Sequence, residues 1–159
     1  MVETLLKVIN IFEKEKIPYC LIGGLAVMLH GGRANTIDID FYVMVEDLDK
    51  VRKAFRKYRI PNKAAGEYQI KAKYKGIPID ILYADHYIGL EIIQRAKSKK
   101  LENKKVKIAT PEDLIILKTL ADRSIDRRDI EELKEIFSGK LNQNYLRKKL
   151  TSLRKLLKN

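Results

Sequence analysis

Three aspartates carry most of the chemistry that the sequence offers. Asp38 and Asp40 alternate within Ile37-Asp38-Ile39-Asp40-Phe41, and Asp80 is enclosed by apolar residues in Gly76-Ile77-Pro78-Ile79-Asp80-Ile81-Leu82. Successive side chains of a strand point to opposite faces, so Asp38 and Asp40 are expected on one face and Ile37, Ile39 and Phe41 on the other. Carboxylates held side by side repel each other, and an apolar strand tolerates them only beside a cation. Hard oxygen donors of this kind suit magnesium or manganese. Asp80 raises the same question, because an unpaired carboxylate on an interior strand is costly. A metal shared with Asp38 and Asp40 would resolve it, and so would a salt bridge to a lysine or arginine.

The elements that must position these acids follow from the flanking pattern. Tyr19 to Ile22 reads as a short buried strand, Gly23-Gly24 as the turn into an apolar helix, and Gly31 to Thr36 as a loop that leads into the acidic strand. The glycine pair has two compatible readings. It permits a sharp strand-to-helix turn, and it lets the backbone approach a phosphate at the free amides of a helix N-terminus. Arg33, a few residues before the acids, is either a solvated surface residue or a phosphate contact.

Around this centre, residues 3–15 form an amphipathic helix that stops before Pro18, and 47–58 form a second with basic residues around its apolar stripe. Residues 61–66 read as a loop. Residues 67–74 and 77–83 read as a hairpin turning at Gly76. Asp85 and His86 fall in a loop and receive no role, nor does His30. A short helix at 87–97 and a strand at 104–109 follow, amid a cluster of lysines. Thr110-Pro111-Glu112-Asp113 is a strong helix start, with an N-cap threonine, proline at the first position and acids in the first turn. That helix is expected to run to about Arg123. Lys118 falls inside its stripe of Leu114, Leu117 and Ala121, where it either snorkels to water or meets an anion. Helices at 129–137, ended by Gly139, and at 142–157 complete the pattern.

Composition sets the outer limits. The chain has 159 residues, 33 Lys+Arg against 21 Asp+Glu and a formal net charge of +12. This length supports one compact unit. The charge attracts polyanions, nucleic acid among them, although lysine-rich helices can also be simply solvated. A single cysteine, Cys20, excludes an internal disulfide and a cysteine metal cluster, and its place on a buried strand makes it a core residue. No opening signal segment and no bilayer-length apolar run are found, so a cytoplasmic protein is expected.

Glycine pair, Asp-x-Asp strand and later Asp strand, in that order, resemble the signature of the nucleotidyltransferase superfold, the DNA polymerase beta-like family. Arg33, Thr36 and Asp38-Ile39-Asp40 resemble the motif of its AbiEii-like toxin branch and of related small stand-alone domains. Leu117-Lys118-Thr119-Leu120-Ala121-Asp122-Arg123 with Asp126 to Asp129 resembles that branch's second motif. The resemblance spans roughly residues 17–135. It implies an α+β fold, a central mixed sheet flanked by helices, with a catalytic core over 1–110 and a C-terminal helical segment over 111–159 packed on the same domain. It implies a nucleotidyltransferase that moves a nucleoside monophosphate from an NTP such as ATP to a hydroxyl acceptor on RNA (a tRNA end) or protein, in a toxin–antitoxin setting. A small hydroxylated compound is a further acceptor class. Asp38, Asp40 and Asp80 would be catalytic and hold two Mg2+ or Mn2+ ions, and Gly23, Gly24, Arg33, Thr36 and Lys118 would contact the nucleotide. A catalytically silent nucleotide- or RNA-binding module on the same fold is the alternative.

Overall fold

A computed structural model describes residues 1–84 and 87–156. Asp85, His86, Leu157 and Lys158 lie outside the described residues. The elements run α1 (Val2–Lys14), β1 (Tyr19–Ile22), α2 (Gly23–Leu29), β2 (Ile39–Met44), a one-turn 3-10 segment (Val45–Asp47), α3 (Leu48–Lys57), β3 (Asn62–Ala64), β4 (Gln69–Tyr74), β5 (Ile77–Ala84), α4 (Tyr87–Arg95), β6 (Lys97–Leu101), β7 (Lys104–Ile108), α5 (Pro111–Ala121), α6 (Ser124–Ile136) and α7 (Gln143–Leu156). The strands make one mixed sheet in the order β3-β4-β5-β2-β1-β7-β6. β2 pairs parallel with β5 and β1 parallel with β7, and the remaining neighbours are antiparallel. This is an α+β fold with a central mixed sheet and flanking helices.

The pleat sorts the sheet into two chemically opposite rows. Across five strands, Ile70 faces Ile81, Ile81 faces Phe41, Phe41 faces Leu21 and Leu21 faces Ile108. All five are buried. Phe12 of α1 meets Phe41 edge-on at 5.2 Å and stacks on Phe55 of α3 at 6.0 Å, so α1 and α3 cover this apolar face. One residue along, the next row emerges on the other face: Lys63 opposite Lys71, Lys71 opposite Asp80, Asp80 opposite Asp40 and Asp40 opposite Ile22. Residue-by-residue alternation thus delivers carboxylates to one side and core to the other.

Several element boundaries differ from the sequence expectation, each for a physical reason. Asp38 lies one residue before β2, in a bend, and Ile37 is 74% exposed instead of sharing the buried face with Ile39 and Phe41. Asn62–Ala64, read as loop, is a short edge strand held by pairing with β4. Lys97–Leu101 is likewise a strand, ending α4 two residues early. Its Lys-Ser-Lys-Lys-Leu run has no apolar alternation because it is an edge strand with exposed side chains, and its order comes from the backbone ladder to β7. α6 begins at Ser124, not Asp129, after Asp122 closes α5 in the left-handed conformation at φ +46°. Lys75 and Gly76 both have positive φ, the type I′ geometry that joins β4 to β5.

α5 carries the helical layer that faces the site. Thr110 caps it as expected, its Oγ1 accepting from the Asp113 amide at 3.2 Å. Asp113 itself is fully buried. It accepts from Thr110 Oγ1 at 2.7 Å and Tyr145 Oη at 2.6 Å, and pairs with Arg95 Nε at 3.2 Å, while the Arg95 guanidinium lies 3.8 Å over the Tyr145 ring. This one carboxylate therefore fastens α4 and α7 to α5. His30, at the C-terminal end of α2, places Nε2 2.9 Å from the Ala109 carbonyl and its ring edge-on to Phe137, a structural tie, and burial lowers its basicity. No helix among the described residues is long and apolar enough to cross a membrane. Asp113→Ala is expected to cost about 3 kcal/mol, the scale for stripping one partner from a buried ion pair. Lys75→Ala, at the exposed pair with Glu3, should leave stability nearly unchanged. Urea denaturation of both variants checks the contrast.

Candidate active site

β2 and β5 pair in parallel with Asp40 directly opposite Asp80, and the bend before β2 turns Asp38 toward both. One carboxylate oxygen from each of the three lies within 4.8 Å of the others. They sit in a cleft of about 520 Å³ whose wall is built by α2, the 34–36 loop and the α5–α6 corner. A cleft of this size matches small-molecule sites in general.

The glycine pair is explained by what lies against it. Gly23 has φ +70°, and a Cβ there would stand 1.9 Å from Asp40 Oδ2; a Cβ on Gly24 would stand 2.8 Å from Thr36 Cβ. Each glycine lacks a side chain where a cleft residue occupies the space. Thr36 in turn donates from Oγ1 to Asp38 Oδ1, fixing that carboxylate.

Opposite the acids stand two cations. Lys118 is buried and pairs with Asp129 Oδ2 at 2.6 Å and Asp126 Oδ1 at 3.1 Å. The inward lysine thus meets its anions within the chain, on α6. Arg123 makes a two-pronged contact with Asp126, Nε to Oδ2 at 2.7 Å and Nη2 to Oδ1 at 3.1 Å, and its backbone amide also donates to Asp126. Burial alone would raise the Asp126 carboxyl, but the bonds from Arg123 and Lys118 prevail and hold it low. Asp129 Oδ1 is buried without a hydrogen-bond partner among the described residues.

The electrostatics of the acids follow from this setting. Burial, then the charges of Asp38 and Asp80, push the Asp40 carboxyl up to about 7, with Arg123 and Lys118 acting in the opposite direction. Asp80 is also raised, first by burial and then by Asp38, against the pull of Lys71 and a hydrogen bond from Gln69. Burial and the neighbouring charges raise Asp40 and Asp80 together, a condition that a divalent cation relieves, so the three residues fit such an ion.

Of the residues expected at the nucleotide, Gly23, Gly24, Thr36 and Lys118 line the cleft. Arg33 does not. Its side chain is 86% exposed, its Nε lies 3.7 Å from Glu132 Oε1, and its backbone amide donates to Glu132 Oε2 at 2.8 Å. Arg123, Gln69 and Tyr42 line the cleft without having been assigned there. For Gln69 and Tyr42 the alternation of β4 and β2 was the available signal. For Arg123 it was its place in the resembling stretch, but only the turn at Asp122 aims it inward.

The family "Nucleotidyl transferase of unknown function" (DUF2204) matches residues 1–156. The chain belongs to this family. It is a nucleotidyltransferase of the same superfold as several solved structures. ANT(2″)-Ia, in complex with adenylyl-2″-tobramycin, aligns with a TM-score of 0.71 at 14% identity over 98% of each chain. The lincosamide antibiotic adenylyltransferase LnuA, lincomycin-bound, aligns at 0.65 and 18% identity over 86% of this chain and 98% of that one. A proposed nucleotidyltransferase of Thermotoga maritima aligns at 0.57 and 16% identity over 99% and 92%. At such identities the likeness establishes the fold. No curated protein sequence matches the chain.

The raised Asp40 carboxyl sets a pH dependence for the metal-free protein. The folded chain keeps a proton to about pH 7 that the unfolded chain releases near 3.8, so the penalty is absent below about 3.8, grows as pH rises and is complete above about 7. Asp40→Asn removes it. This variant is expected to melt higher than wild type by scanning calorimetry at pH 8 without divalent ions, and nearly with it at pH 4. An equal shift at both pH values would contradict the electrostatic account.

Proposed function

We propose that the protein transfers a nucleoside monophosphate from a nucleoside triphosphate to an acceptor hydroxyl, in a reaction that depends on divalent metal. The observation that carries this reading is the convergence of Asp38, Asp40 and Asp80 beside the glycine pair at the mouth of α2. Asp38 and Asp40 would hold two magnesium or manganese ions, one shared with Asp80, and these supply activation of the attacking hydroxyl and neutralisation of charge on the departing pyrophosphate.

The chain's own residues do the rest. The Gly23 and Gly24 amides, with no side chain between them and the cleft, offer hydrogen bonds to the triphosphate. Thr36 holds the Asp38 carboxylate in place through its hydroxyl. Lys118 and Arg123, braced by Asp126 and Asp129, give that wall fixed positive charge that reaches Asp40 and favours the negative charge of the phosphates. Arg33, swung from Glu132, is the residue that could close over the triphosphate tail. Asp80, on β5 and so one strand beyond Asp40 from α2, receives the proton of the acceptor hydroxyl as its oxygen bonds to the α-phosphorus. The α-phosphorus bond to the pyrophosphate oxygen breaks in the same displacement, and the electron pair leaves with pyrophosphate. The toxin–antitoxin setting rests on the resemblance of the 33–40 and 117–129 stretches alone.

A silent binding module on this fold would have no use for all three acids. The test supplies Mg2+ or Mn2+ with each labelled nucleoside triphosphate and, as acceptors, total RNA or the protein itself. Wild type is expected to transfer label, Asp38→Ala/Asp40→Ala to lose at least about 1,000-fold in rate, and chelation to abolish transfer. Equal binding of metal and nucleotide by wild type and the double variant would sink the reading.

A further inference from the structure

Of the three acids, Asp38 is the one that no strand pairing fixes. Asp40 and Asp80 stand opposite each other in the ladder of β2 with β5, which begins at Ile39, and Asp40 is also paired with Ile22 of β1. Asp38 lies one residue outside both ladders, at the end of the 31–38 segment, which has no helix or strand of its own. Where its carboxylate stands therefore depends on what fastens that segment. The near end is tied to α2, with the Gly31 amide donating to the Met28 carbonyl at 2.9 Å and the Gly32 amide to the Val27 carbonyl at 3.0 Å. The far end is tied by Thr36, whose hydroxyl donates to Asp38 Oδ1 and whose Cβ occupies the space that a Gly24 side chain would need.

Between these ends the fastening comes from a helix distant in sequence. Glu132 of α6 accepts from the Arg33 amide through Oε2 at 2.8 Å, a hydrogen bond strengthened by the charge of the carboxylate. Its side chain is only 14% exposed. Gly32 makes the room for it: a Cβ there would stand 3.2 Å from Glu132 Oε2 and 2.5 Å from Val27 Cγ1. Because the bond is to the backbone, it fixes the path of the chain rather than the Arg33 side chain. Ala34, the next residue, is buried. Glu132 also completes a series, since with Asp126 and Asp129 it recurs every third residue along one side of α6. Asp126 grips Arg123 and Lys118, Asp129 grips Lys118, and Glu132 grips the loop that leads to Asp38. One helix therefore sets both the cation wall and the place of the third acid.

We infer that Glu132 is a positioning residue for the metal centre: by holding the Arg33 amide it holds the 33–36 loop, and with it Thr36 and the Asp38 carboxylate, in register with Asp40 and Asp80 for a divalent ion. The assignment rests on the reading of these three acids as the metal-binding part of the transferase site. Glu132 is not among the residues that line the cleft. It acts through the loop. An outer hydrogen bond of this kind matters because a carboxylate that must be reoriented before it coordinates gives up part of its binding free energy to that ordering. Once the loop is loosened, Asp38 moves away from its like-charged neighbours, the direction in which their repulsion drives it.

Titration of the full chain with Mn2+, followed by the electron paramagnetic resonance signal of the free ion, tests this without turnover. Glu132→Ala is expected to bind Mn2+ about 10-fold more weakly than wild type, the lower end of the scale for losing an outer hydrogen bond at a metal site. Glu132→Gln, whose carbonyl oxygen can accept from the same amide, should stay within about threefold of wild type. Glu131→Ala, at an exposed pair with Lys134, should match wild type. The deciding comparison is a double-variant cycle with Thr36→Val, because a residue that acts through Thr36 has nothing left to lose once that hydroxyl is gone. On the Thr36→Val background, Glu132→Ala should weaken Mn2+ binding further by less than about twofold. If circular dichroism shows the alanine variant unfolded, Glu132→Asp, one methylene too short to reach the amide, replaces it with the same expected loss. Wild-type affinity in Glu132→Ala, full additivity with Thr36→Val, or a glutamine variant as weak as the alanine variant each overturns the inference. Wild type that binds no Mn2+ overturns the inference and the metal reading together. Mn2+ affinity lost in Glu132→Ala with no nucleotide transfer by wild type to any acceptor would remove the transferase reading alone. Transfer by wild type, with Mn2+ bound equally by Glu132→Ala, would remove the inference alone.

Discussion

Mutual repulsion among Asp38, Asp40 and Asp80 is the constraint on which the rest of the structure depends. Three carboxylates within 4.8 Å would ordinarily spread apart, and here they are held by elements that cannot yield. Asp40 and Asp80 are fixed by a six-residue parallel pairing of β2 with β5. Asp38 is fixed by Thr36, and Asp40 is wedged against the bare backbone of Gly23. Burial, together with the repulsion that remains, appears as the elevated Asp40 carboxyl. A site built this way gives up stability in the absence of a cation and is organised in advance to receive one.

Charge on either side of the acids is arranged differently. Toward α5 and α6 the cations are braced: Lys118 between Asp126 and Asp129, Arg123 gripped by Asp126. Bracing costs these groups mobility and leaves the wall with a fixed field, which suits a ligand that must be positioned within a fraction of an ångström. Toward β4 and β3, Lys63, Lys71 and Lys73 are exposed and form no salt bridge among the described residues. The buried contacts of Asp113 with Arg95, Thr110 and Tyr145 serve the first side, because they lock α5, which carries Lys118, to α4 and α7.

Much of this was legible in the sequence, and the reasons are local. The alternation of Asp38 and Asp40 with apolar neighbours, the apolar run around Asp80, the Gly23-Gly24 pair and the Thr110 cap each depend on interactions within a few residues, so periodicity and turn chemistry expose them. The edge strands β3 and β6 were not legible. Their residues are polar and exposed, and what orders them is a backbone ladder to a partner that the local sequence does not reveal. The start of α6 was misplaced for a similar reason: it is set by Asp122 in a left-handed turn, a conformation that aspartate tolerates but does not announce.

The sequence by itself determined which residues could bear charge in an apolar setting, because burial of a carboxylate or a lysine is an anomaly wherever it occurs. It did not determine what satisfies each one. Lys118 was marked as a lysine in need of an anion, and only the packing of α6 against α5 showed the anions to be Asp126 and Asp129. Arg33 was near the acids in sequence, yet the loop carries it out to Glu132, while Arg123, far away in sequence, arrives at the cleft. The register that sets Lys63, Lys71, Asp80 and Asp40 in one row is likewise a property of strand pairing between distant segments. Side-chain direction along a strand is fixed by the pleat and can be read residue by residue, whereas the partner across the ladder is chosen by the fold as a whole.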